Sequence, residues 1–209
     1  MAKAVLIWSL LAWSATATFG QSTQPSRSYD WSTPLAADAS LRLANHARDQ
    51  AAVTRAYHAD NGDQRALLSA LNEQWVAGMT LHEACLARFK RELPSGSVVR
   101  PADNRIEADV QGDEAIVYPG GKQLGLGITW VRINGEWKVA MSQILRAHLM
   151  TYKSLPRAID EKRAWTKELR RLTDEIKAGR YSSPEDVDKA LDDLAEASDR
   201  TPSTQPSGK

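Results

Sequence analysis

One cysteine stands in 209 residues. A chain with Cys85 alone closes no internal disulfide, so packing must hold it together. Charge of one sign is also lacking: 27 Lys and Arg face 26 Asp and Glu, for a formal net charge of +1. That balance provides no basic field to draw nucleic acid or an anionic membrane surface, and it argues against both as main partners. No apolar run reaches the ~20 residues that a bilayer span needs. Catalytic and metal signatures are missing as well. His82 and Cys85 have no H-E-x-x-H and no second Cys/His pair beside them, so no metal and no cofactor is expected. There is no G-x-S-x-G elbow, and Gly120-Gly121-Lys122 lacks the spacing of a phosphate-binding loop.

What is present begins with an export pattern. Residues 1–20 join Lys3, an apolar run from Ala4 to Trp13 and the small pair Ala15 and Ala17. This predicts a secretory signal cut near Ala17, a periplasmic or extracellular protein, and no stable membrane span after cleavage. Cleavage there removes Lys3 and takes the net charge to zero. Residues 21–35 read as a linker with Pro25 and Pro34, residues 36–150 as an α+β domain, residues 156–197 as a helical hairpin and residues 198–209 as a disordered tail.

Within the domain, the alanine-rich stretch 36–59 predicts one helix. "NGD" at 61–63 breaks it, and Asn61 or Asp63 can cap the next helix, expected over 64–93. Leu67, Leu68, Leu71, Trp75, Met79, Leu86 and Phe89 give that helix a strong apolar face. The period then shifts to two, and four strands joined by short turns predict an antiparallel meander. Its last hairpin, "GITWVRINGEWKVAMSQ" (127–143), turns at Asn134-Gly135 in the manner of a type I′ turn. The predicted register pairs Ile133 with Glu136, Arg132 with Trp137, Trp130 with Val139 and Ile128 with Met141. It puts Leu126, Ile128, Trp130, Trp137, Val139, Met141 and Gln143 on one face, with the 64–93 helix as the expected cover. Gly125 and Gly127 suggest a bend. Beyond the sheet, Arg157–Arg180 holds eight basic and five acidic residues, and Glu185–Arg200 seven acidic and two basic. Two helices of opposite charge form the hairpin, either as a pair or as a surface for a partner.

Trp130, Val131, Asn134, Gly135, Trp137, Lys138 and Val139, after two helices and short hairpins, resemble the nuclear transport factor 2-like superfamily, which includes ketosteroid isomerase and polyketide cyclase-like proteins. The resemblance covers about residues 40–146. It implies long N-terminal helices packed on a curved, cone-like sheet whose mouth often holds a ligand, and a possible homodimer. The family's catalytic sets find no residue-by-residue match here.

Candidate sites follow from residue type and position. Glu107 and Asp109, beside Arg105, are either a carboxylate base in an apolar cone or the solvated face of an edge strand. Trp75, Met79, His82, Ile128, Trp130, Trp137 and Met141 either line a pocket for a small apolar ligand or form the core. Cys85 in its apolar pattern reads as buried. The expected function is that of an exported, non-catalytic domain binding a small apolar ligand or a protein partner. The alternatives are an isomerase, cyclase or hydrolase with a carboxylate base, and a self-associating structural module.

Overall fold

The computed structural model describes residues 28–91, 93, 106–119, 121–122 and 127–200. The export segment, Arg105, Gly120, Gly125, Leu126 and the end of the tail lie outside the described residues.

Thr33 starts the first helix, α1 (Pro34–Ala47): its Oγ1 accepts from the Ala36 amide at 3.2 Å, and Pro34 takes the first helical position. The single helix expected over 36–59 is in fact three pieces. Arg48 adopts a left-handed conformation (φ 59°) and closes α1. Asp49 then caps α2 (Gln50–Arg55) by accepting from Ala52 N at 3.0 Å. Tyr57–His58 leave the helix as strand β1, which pairs in parallel with the end of the hairpin. Alanine propensity did not anticipate an Asp whose side chain competes for backbone donors. The next helix, α3 (Gly62–Phe89), is capped by Asn61, whose Oδ1 accepts from Gln64 N at 2.9 Å.

The sheet contains β2 (Ile106–Gln111), β3 (Glu114–Pro119), β4 (Ile128–Ile133) and β5 (Glu136–Ala140). Its order is β1-β5-β4-β3-β2, mixed rather than wholly antiparallel because β1 runs beside β5. Asn134 (φ 52°) and Gly135 (φ 83°) both take positive φ, as a type I′ turn demands, and this fixes the register. Ile133 faces Glu136, Arg132 faces Trp137 and Trp130 faces Val139. Gly127 has a steric role: a Cβ there would collide with Ile116 Cγ2 and lie 3.0 Å from the Tyr118 ring.

The expected pairing of Ile128 with Met141 does not occur. β5 ends at Ala140 and Met141 opens helix α4 (Met141–Tyr152). Met141, Ile144, His148 and Tyr152 recur at steps of three and four, and this helical period wins over the strand alternation it overlaps. Gln143 still completes the edge of β4 from its new place. Its Oε1 accepts from Thr129 N at 2.8 Å, and its Nε2 donates to Gly127 O at 3.1 Å. One carboxamide thus stands in for a strand residue.

The cover of the sheet also differs from expectation. Trp130, Trp137, Val139, Ala115 and Val117 pack with Trp31, Ala37 and Ala56, so α1 and the segment before it shield the large-apolar face. Each large side chain buried there contributes about 1.5–3 kcal/mol. The long helix α3 is instead a spine. One face joins α5 (Leu155–Lys177) and α6 (Pro184–Arg200) through Leu81, Cys85, Leu169, Leu172, Ile176 and Val187. Elsewhere Trp75 joins Ala44, Ala52 and Val53 from α1 and α2. Ser183 and Asp186 form a reciprocal box at the start of α6, with bonds of 3.0 and 3.2 Å. The molecule is α+β: a mixed sheet faced by α1, and a three-helix bundle built on α3.

Candidate functional site

The residues expected to line one pocket fall in separate places. Trp130 and Trp137 are sheet core, with half-buried Ile128 against them. Trp75 and Met79 belong to the cluster between α3 and the first two helices. His82 is half-buried on α3, and Met141 is fully buried at the start of α4. Cys85 is buried without a disulfide, and burial pushes its thiol up to about 11, so it offers no thiolate. No group of three or more His, Cys, Asp or Glu able to hold a metal occurs among the described residues.

Glu107 and Asp109 lie on β2, an edge strand. Ile106 and Ala108 pack toward the sheet core, so the alternating Glu107 and Asp109 point to the other face. Asp109 Oδ1 is ion-paired with Lys122 Nζ, both side chains nearly half exposed. The Asp109 bond holds the Lys122 ammonium above its ordinary range. A hydrated carboxylate with a salt partner lacks the apolar surroundings that make a base.

Two surface hollows among the described residues bear on the site. The hairpin tip borders one of about 540 Å³, with Trp31, Tyr29, Asp49, Arg55 and Glu136 on its walls. Its three carboxylates, Asp30, Asp49 and Glu136, outnumber Arg55, but each has a hydrogen-bond or ion-pair partner, Asp30 accepting from Ser32 N at 2.9 Å. Tyr29 donates to Asp49 Oδ2 at 2.9 Å, and Arg55 pairs with Glu136. The Ala52 amide and the Tyr29 hydroxyl hold the Asp49 carboxyl low, and Arg55 does the same for Glu136. Satisfied carboxylates of this kind are poor proton acceptors at neutral pH. The other hollow, about 430 Å³, runs along α4 from Gln64 past Ser142, Leu145, Arg146, Leu149 and Met150. Its apolar members are open to water: Met150 is 74% and Leu149 38% exposed.

The opposite side of α4 carries a basic cluster that the sequence reading missed. Lys162 of α5 is 1% exposed, with Nζ 5.5 Å from the centre of the Tyr152 ring. The His148 ring stacks on Tyr152 at 6.0 Å. His148 Nδ1 donates to Ile144 O at 2.8 Å, which leaves Nε2 buried without a hydrogen-bond partner. Burial pulls the Lys162 ammonium down to about 8, and burial also lowers His148, aided by the Lys162 charge. The available signal was a lysine in an apolar stripe: Ala158, Lys162, Trp165 and Leu169 step by four, three and four. The cluster is closed to substrate as it stands.

No family model matches this chain, and no curated protein or solved structure matches it. No helix among the described residues is long and apolar enough to cross a membrane.

Proposed function

We propose that this chain is an exported, non-catalytic binding domain that takes a protein partner along α4. Export rests on the sequence of residues 1–20 alone. The observation that carries the binding reading is the exposed Leu149 and Met150 beside the hollow that also holds Leu145. A helix presenting adjacent Leu and Met to water suits an adaptable apolar contact. Arg146 at the same hollow and Lys153 at the end of α4 are exposed and carry no ion pair among the described residues. The partner that fits is an amphipathic helix with acidic flanks.

In the nuclear transport factor 2-like cone, a small ligand would sit at the mouth of the sheet. The packing of α1 and Trp31 on the large-apolar face supports a surface partner over an enclosed small ligand. The enzymatic alternative has the weaker support, since Asp109 is hydrated and paired.

Fluorescence anisotropy with labelled amphipathic helical peptides tests this reading. The acidic-flanked peptide is expected to bind more tightly than a basic-flanked one with the same apolar face. Leu149→Asp with Met150→Asp should weaken it by about tenfold or more. Equal binding of both peptides, or indifference to the substitutions, sinks the proposal. Saturable binding of a fatty acid that the two substitutions leave intact would return the small-ligand reading.

A further inference from the structure

The three-helix bundle turns two charged strips outward, and they are opposite in sign. On α5, Arg163, Lys167 and Arg170 step by four and three along an exposed face. Leu169, Leu172 and Ile176 of the same helix go into the bundle. The α5 carboxylates Glu168 and Glu175 are committed to Arg171, at 2.7 and 2.8 Å. Arg163, Lys167 and Arg170 therefore carry no ion pair among the described residues. Asp160 and Asp174 stand at the two ends of the strip. On α6, Val187 and Leu191 are buried in the bundle while Asp192 and Asp193 are exposed and have no ion pair among the described residues, with Lys189 standing one turn before them.

The two helices are neighbours in sequence and pack into one bundle, yet the strips do not neutralise each other within the chain. Both helices spend their apolar sides on α3, so their charged sides must look away from it. We infer that the strips are matched by a second copy of this chain. α5 of one molecule would lie on α6 of its partner, and α6 of the first on α5 of the partner. A two-fold axis satisfies both contacts at once, because each copy supplies one basic and one acidic strip. A polyanion would meet the basic strip but be repelled by the acidic one, and a basic partner meets the reverse problem. A second copy answers both. Exposed ion pairs are individually weak, so such a dimer is steered and held by the sum of its charges and loosens with salt. This surface is separate from α4, and the inference does not depend on what α4 binds.

Sedimentation of the full chain, at about 0.02 M and about 0.5 M salt, tests the proposal. The expected result is a dimer at low salt whose dissociation constant rises by at least about tenfold at high salt. Two charge-reversed forms sharpen the test. One carries Arg163→Glu, Lys167→Glu and Arg170→Glu; the other carries Asp192→Lys and Asp193→Lys. Each alone should be monomeric with an unchanged circular dichroism melt, since all five positions are exposed and carry no ion pair among the described residues. Mixed, they should form a one-to-one heterodimer, because each then offers what the other lacks. A monomer at both salts, a dimer indifferent to salt, or no heterodimer on mixing overturns the inference. Growth beyond a dimer overturns the two-fold arrangement.

Discussion

Lys162 is the residue at which burial and charge are most openly opposed. A buried ammonium loses hydration, and the Tyr152 face returns only part of it. In the unfolded chain this lysine keeps its proton up to about 10.5, whereas in the fold it releases it near 8. Between those values the unfolded state binds more protons, so the Lys162 contribution makes stability rise with pH. The gap corresponds to about 3 kcal/mol. Lys162→Met keeps the aliphatic stem and removes the charge. Chemical denaturation should find the variant more stable than the parent by up to about 3 kcal/mol below pH 8. That advantage should shrink toward zero as pH approaches 10.5. Comparing variant with parent cancels Tyr57, pushed up to about 12 by burial, and Cys85, whose ionisation acts in the opposite sense. An advantage independent of pH would mean that the ammonium is hydrated after all.

At the scale of elements, the β5–α4 boundary tests how a sheet edge ends. Ala140 closes the strand, and the Gln143 carboxamide then meets Thr129 N and Gly127 O, the backbone groups a longer β5 would have met. Gln143→Ala should cost about 1 kcal/mol, as expected for partly exposed bonds. It should also speed hydrogen exchange at the Thr129 amide while leaving the Val139 amide, bonded to Ala56 O at 2.7 Å, unchanged. Equal change at both would place the loss in the whole sheet. This boundary also shows what the sequence made legible. The Asn134-Gly135 turn and the cap of α3, expected at Asn61 or Asp63 and found at Asn61, act through residues near in sequence, so local chemistry pointed to them. The two-residue β1 depends on a distant partner in β5. The break at Arg48–Asp49 is local, but helix propensity alone reads through an Asp that caps the next turn. At the end of β5 the helical period of Met141, Ile144 and His148 overlaps the strand alternation. The expected pocket residues sit in separate clusters because their neighbours come from distant segments. Apolar faces were legible, but which face meets which was not. α1, with small Ala37 and the bulk of Trp31 before it, reached the sheet that the long helix had been expected to cover.

For the whole molecule, α3 decides whether sheet and bundle are one cooperative body. Cys85 lies in the bundle cluster, while Val117 lies in the sheet cluster under α1. The two clusters share no residue, and α3 links them through Trp75, which packs on α1 and α2. If that linkage is strong, the bundle opens only when the entire fold does. The lone thiol reports the answer cleanly, since it is fully buried, its ionisation is suppressed in the fold, and no second cysteine competes for reagent. Val117→Ala removes two buried methyl groups and should cost about 2 kcal/mol of global stability. With opening and closing fast relative to labelling, thiol modification should then accelerate by about thirtyfold, although the substitution touches nothing around Cys85. An unchanged labelling rate, with the global loss confirmed by denaturant, would show that the bundle opens on its own. Trp75→Ala would then be expected to leave the labelling rate unaltered, whereas in a single cooperative body it must raise it.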